Sequence, residues 1–85
     1  MTQFTYTIKD PAGIHARPAG ILVKLANGFK SKITVLKGGK SGDLKRIFSV
    51  MALGAKQGEE LTIRIEGDDE TQAKQAVLKC LQENF

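Results

Sequence analysis

This sequence is poor in the residues that staple, bridge or anchor a chain. It has one cysteine (Cys80), no tryptophan, two prolines, one histidine, one tyrosine and four phenylalanines. A single cysteine excludes an intramolecular disulfide. One histidine and one cysteine at no ligand spacing fall short of a metal site, so no metal and no cofactor are expected. No apolar run approaches the ~18 to 20 residues that cross a bilayer, and Met1-Thr2-Gln3-Phe4-Thr5 has neither the basic start nor the apolar stretch of a secretory signal. A cytoplasmic protein without membrane insertion is the expectation. Eighty-five residues suffice for one domain, residues 1-85, whose core needs no such staple.

Acidic residues are scarce where basic ones gather. The net charge is +4, but residues 1-58 carry ten Lys/Arg against only Asp10 and Asp43, net +8, and residues 59-85 carry three basic residues against seven acidic ones, net −4. A solvated surface whose signs segregate by chance explains this; so does a surface that attracts acidic partners or phosphate groups.

Phe4, Tyr6 and Ile8 alternate with threonines, the period of a half-buried strand, and Asp10-Pro11-Ala12-Gly13 breaks it. From Ala16 to Asn27, the apolar residues Ala19, Leu22, Val23 and Ala26 recur at helical spacing, with Gly28 placed as the C′ stop. Lys32 to Lys37 and Lys40 to Lys45 read as two strands joined by the hairpin dipeptide Gly38-Gly39. Ile47 to Leu53 reads as a short helix stopped at Gly54. Leu61, Ile63 and Ile65 mark a fourth strand, and Asp69 with Gln72 resembles a capping box opening a terminal helix whose apolar residues are Ala73, Ala76, Val77, Cys80 and Leu81. The order is β-α-β-β-α-β-α. It predicts a two-layer α+β domain, with the helices on one face of the sheet and a Thr/Lys-rich, wet opposite face.

The chemistry concentrates in Gly13-Ile14-His15-Ala16-Arg17-Pro18-Ala19-Gly20. Pro18 is tolerated only in a first helical turn, so His15 falls at or beside the N-cap, where backbone N–H groups and the positive end of the helix suit an anion. A lone histidine is most often an ordinary surface or core residue. No partner for a general base is visible, which leaves a covalent role: a neutral ring nitrogen can attack phosphorus and carry the phosphoryl group. The N–H groups of Ala16 and Arg17 and the Arg17 guanidinium would hold its oxygens. The short middle helix has more apolar surface than one packed face needs. Val50 and Leu53 are assigned to the core, and Phe48, Met51 and Ile47 are left as an exposed patch for a partner. Cys80 reads as a small buried hydrophobe and Lys24 as a solvated lysine.

Gly13-Ile14-His15-Ala16-Arg17-Pro18-Ala19 closely resembles the active-site signature of the HPr family, the histidine-containing phosphocarriers of the bacterial sugar phosphotransferase system. The resemblance covers essentially the whole chain, including Gly28-Phe29, Val50-Met51-Ala52-Leu53-Gly54, Lys56-Gln57-Gly58 and Glu66 to Glu70. It implies an open-faced β-sandwich with antiparallel strand order 1-4-2-3 and three helices on one side. It also implies that Nδ1 of His15 takes a phosphoryl group from phosphorylated enzyme I and passes it to a histidine of a sugar-specific enzyme IIA, with Arg17 assisting. The protein would then be a monomeric carrier more than an enzyme in its own right. The family's docking surface maps onto Gly20, Ile21, Lys24, Asn27, Ile47, Phe48, Ser49 and Met51. One position departs: where many relatives have a serine that a kinase phosphorylates, this chain has Arg46, which adds positive charge beside the docking patch.

Two further readings stay open at this stage. A carrier of the same kind could serve a nitrogen-related or regulatory relay. A basic nucleic-acid-binding α+β module would fit the charge, although the strands lack the interleaved aromatics of a stacking platform, and no nucleic acid is expected as a partner.

Overall fold

The computed structural model describes all 85 residues. The chain forms β1 (Thr2–Thr7), α1 (Ala16–Ala26), β2 (Lys32–Lys37), β3 (Lys40–Asp43), α2 (Ile47–Ala52), β4 (Glu60–Glu66) and α3 (Glu70–Asn84). The strands make one antiparallel sheet in the order β1-β4-β2-β3. This is the architecture the sequence predicts.

Register decides which side chains meet the helices. Phe4 and Val35 both pair with Ile63, Tyr6 with Leu61, and Ile33 with Ile65, so one face of three strands is continuously apolar. Against it lie Ala19, Leu22 and Ala26 of α1, Val50 of α2, and Ala73, Val77, Cys80 and Leu81 of α3, all buried. Each fully buried Leu, Ile or Val contributes about 1.5 to 3 kcal/mol relative to exposure, which makes this layer the main stabilising term. The opposite face carries Gln3, Thr5, Lys32, Arg64 and Glu66 in solvent.

Several ends fall differently from the sequence expectation. β3 stops at Asp43 and not Lys45, because the Asp43 carboxylate accepts the Lys45 N–H at 2.9 Å and turns the chain into α2. Gly28 is not a left-handed stop for α1. Asn27 is the C-cap, and its side-chain amide donates to Val23 O at 2.8 Å and Lys45 O at 3.0 Å, tying the helix end to the approach to α2. Val23 and Ala76, expected inside, are only half-buried, whereas Pro18 is buried. At the hairpin only Gly38 takes positive φ, at 58°, the pattern of a type II′ turn.

The capping box does not form. Asp69 occupies the N-cap of α3, but with φ −102° and ψ 23° it lacks the extended backbone that aims a capping side chain at its own helix. Its carboxylate turns to the α1–β2 loop instead. There it accepts the N–H groups of Lys30 at 2.8 Å and Ser31 at 2.9 Å, together with the Ser31 hydroxyl. Gly67 makes this approach possible, since a Cβ there would lie 2.6 Å from Ser31 Oγ. The Ser31 hydroxyl and the Lys30 N–H hold the Asp69 carboxyl below its ordinary range. A carboxyl with a depressed folded value contributes stability above its unfolded value, about 3.9, and loses it as pH falls through the folded one. Asp69→Asn is therefore expected to be less stable than wild type at pH 7 and to approach it below about pH 4. Urea midpoints across that range check this, and parallel curves would refute it.

Candidate functional site

The turn before α1 is built by one aspartate and one glycine. Asp10 Oδ1 accepts the Ala12 N–H at 2.8 Å, and the Asp10 carbonyl accepts the Gly13 N–H at 2.9 Å. Gly13 then takes φ 65°, which points the chain so that the Ile14 N–H donates to Ala55 O at 3.0 Å. His15 follows as the N-cap, extended at φ −131° and ψ 165°, and its carbonyl accepts the Ala19 N–H at 3.0 Å. That is the first intrahelical bond. The N–H groups of Ala16 and Arg17 have no partner inside the helix and point out of its end.

The His15 side chain makes no capping bond and is 44% exposed. Its Nε2 lies 3.9 Å from Asp10 Oδ2. Around it runs a shallow groove lined by Asp10, Arg17, Pro18, Ile21, Glu83 and Asn84. Arg17 is exposed and pairs with no carboxylate, so its guanidinium is free for an incoming anion. An electrophile reaching the ring here meets a neutral-capable nitrogen, two backbone donors and a cation. No three metal-ligating side chains come together anywhere in the chain.

The floor of the turn is the segment after α2. Lys37 Nζ donates to Leu53 O and Gly54 O, each at 3.2 Å, and lies 3.1 Å from Glu59 Oε1. That carboxylate also accepts the Lys56 N–H at 2.7 Å, and the Lys56 N–H and the Lys37 ammonium hold Glu59 below the usual carboxylate range. Residues 53-59 are thus clamped, and through Ala55 O they set the height of His15. Neither Lys37 nor Ala55 stands out in the sequence as a site residue, because their contribution runs through contacts between elements far apart in the chain. Asp10 had a visible signal, the Asp-Pro-Ala-Gly turn five residues before His15.

The helix α2 presents Phe48, 86% exposed, and Met51, while Val50 and Leu53 are buried as the wheel predicts. Ile47 is half-buried and packs on the core next to Gly20, so the patch is narrower than three full side chains. Ile21, 50% exposed, and Lys24 extend it along α1. The Asn27 amide nitrogen is used inside the molecule. Ser49 is half-buried against Gly42. Arg46 is the N-cap of α2 without a capping bond, and its Nε lies a loose 3.9 Å from Asp43 Oδ2. Cys80 is buried under Asn84, and burial pushes its thiol up, away from the reactive thiolate.

Residues 2–83 match the family model PTS-HPr, described as the PTS HPr component phosphorylation site. The chain is similar to the phosphocarrier protein HPr of Mycoplasma capricolum, 47% identical over 95% of this chain and 91% of the relative. It is 44% identical to that of Mycoplasma genitalium over 99% and 97%. Among solved structures, a Mycoplasma histidine-containing phosphocarrier protein superposes with a TM-score of 0.94 at 43% identity, covering 96% of this chain and 93% of that one. Crh of Bacillus subtilis, a swapped dimer, gives 0.78 at 33% identity, over 99% and 97%. No helix here is long and apolar enough to cross a membrane. With a match over nearly its whole length and relatives above 40% identity, the chain belongs to the HPr family, the phosphocarrier proteins of the phosphotransferase system.

Proposed function

We propose that His15 accepts a phosphoryl group on Nδ1 from phosphorylated enzyme I and passes it to a histidine of a sugar-specific enzyme IIA. The observation that carries this reading is the N-cap itself: a half-exposed ring with no intramolecular hydrogen bond, beside two unpaired N–H groups and an unpaired guanidinium. The Ala16 and Arg17 N–H groups and the Arg17 side chain bind the phosphoryl oxygens, favouring charge as it develops at the ring. No acid, base or metal is needed beyond positioning, so the protein is a substrate that two partners share. It acts as a single copy, since ring, donors and patch all lie on one chain.

The partners grip Gly20, Ile21, Lys24, Asn27, Ile47, Phe48, Ser49 and Met51. Arg46 joins them at the rim, where an exposed cation speeds association with acidic surfaces. Because residue 46 is an arginine, hydroxyl phosphorylation at that position is chemically closed. Incubation with enzyme I, Mg²⁺ and phosphoenolpyruvate tests the core of the proposal. A ³¹P signal of an acid-labile, base-stable Nδ1 phosphohistidine is the expected result, and its absence ends the reading. Onward transfer to sugar-type against nitrogen-type enzyme IIA sorts the two branches.

Phe48→Glu is expected to raise the KM for the carrier in the enzyme I reaction by about tenfold or more, with the thermal midpoint nearly unchanged, because a central exposed aromatic is lost and nothing in the core moves. Unaltered KM would remove α2 from the docking surface.

A further inference from the structure

We propose that Asp10 is a positioning residue that keeps the His15 ring proton on Nε2 and so leaves the Nδ1 lone pair free for phosphorus. The proposal rests on His15 being the phosphoryl acceptor. A neutral imidazole carries its proton on one nitrogen or the other, and only the bare nitrogen is a nucleophile. Which one it is depends on what the other faces. Here Nε2 faces a carboxylate oxygen, Asp10 Oδ2, at 3.9 Å. This is longer than a hydrogen bond, and sites without their reaction partner commonly tighten such contacts when it arrives.

Asp10 is held in place from three directions. Its N–H donates to Phe85 O at 2.7 Å, its carbonyl accepts the Gly13 N–H at 2.9 Å, and its Oδ1 accepts the Ala12 N–H at 2.8 Å. Only Oδ2 remains, and it is the oxygen turned to the ring. The turn that breaks β1 therefore also carries the group that orients the nucleophile.

The transfer balances with this assignment. The Nδ1 lone pair forms the N–P bond while the bond from phosphorus to the donor atom breaks, its electron pair staying with the donor. The ring keeps its proton on Nε2 and becomes positively charged. Asp10 then faces that charge, in the way a buried aspartate steadies an imidazolium in a catalytic triad. Onward transfer runs the same steps in reverse, returning the ring to the neutral Nε2–H form. Glu83 is the other carboxylate lining the groove, and it serves as the control.

The single histidine makes the test direct, because ¹⁵N-histidine labelling of the full chain yields one pair of ring signals. Two-bond ¹H–¹⁵N spectra, recorded well above the ring's measured titration midpoint, report the tautomer ratio. In Asp10→Asn the Ala12 N–H retains the one carbonyl oxygen, so the turn survives and the amide presents its NH₂ group to Nε2. The Nε2–H tautomer is expected to predominate in wild type and to lose population in the variant. The rate of phosphoryl acceptance should fall with it by about tenfold or more. An unchanged ratio in Asp10→Asn overturns the proposal, as does an equal shift in Glu83→Gln or a phosphoryl group found on Nε2. If wild type takes no phosphoryl group on His15, the carrier reading fails by that measurement. The tautomer ratio still decides separately whether Asp10 sets the ring.

Discussion

His15→Ala is expected to accept no phosphoryl group from enzyme I while unfolding at nearly the wild-type temperature. Loss is complete because the chain contains no second histidine that could substitute. Stability is spared because the ring is half-exposed and makes no capping bond, so its removal leaves no buried group unpaired. Surface changes of this kind stay within about 0.5 kcal/mol. The helix start also survives, since the bond that closes the first turn comes from the residue 15 carbonyl to the Ala19 N–H and needs no side chain. Radiolabel from phosphoenolpyruvate and a thermal melt, measured on the same preparation, check both halves. Residual acid-labile label at position 15 is chemically impossible in the variant, so label elsewhere would move the acceptor off His15.

Gly13→Ala should do the opposite, damaging the fold first and the chemistry through it. A Cβ at this position lies 2.5 Å from Ala55 O and 2.9 Å from Lys56 Cα, both backbone atoms, on a residue whose φ is 65°. The left-handed conformation alone costs a non-glycine residue about 1 to 2 kcal/mol, and overpacking adds about 1 to 3 kcal/mol. The segment it strikes cannot easily retreat. Lys37 and Glu59 clamp residues 53-59, and the Ile14 N–H is bonded to the same Ala55 oxygen. A fall in Tm of roughly 10 to 25 °C is expected for a domain of this size. Phosphoryl acceptance should fall as well, because the strain is relieved by moving the turn that carries His15. A variant that melts like wild type would show that the 53-59 segment yields, and that Ala55 does not set the position of the ring.

The helices, the strands and their order along the chain are readable from spacing alone, because burial of one face imposes a period of two or of about 3.6 residues on any chain, whereas the order of strands within the sheet rests on the family resemblance. Phe48 was legible for the same reason. Ile47, Phe48, Val50, Met51 and Leu53, spread around α2 and its C-cap, cannot all go inside, and Phe48 is 86% exposed. Asp69 was misread because a carboxylate at an N-cap has two sets of N–H groups within reach. Only the approach of the α1–β2 loop, permitted by Gly67, decides between them. The end of α1 was misread likewise: Asn27 finds the Lys45 carbonyl, eighteen residues away, and makes a left-handed glycine unnecessary.

By itself, the sequence determined that a histidine stands at the mouth of a helix with an arginine beside it, since the permitted places of a proline in a helix are a matter of local sterics. It also determined that this helix packs in one layer on one face of a sheet. The tertiary structure alone decided what the ring faces. Asp10, Glu83 and Asn84 converge on His15 from the first turn and the last helix, while Ala55 supports the loop from the segment after α2. Such contacts join residues that no periodicity links. They arise from how the helices settle on the sheet, and that is fixed by the packing of the whole core.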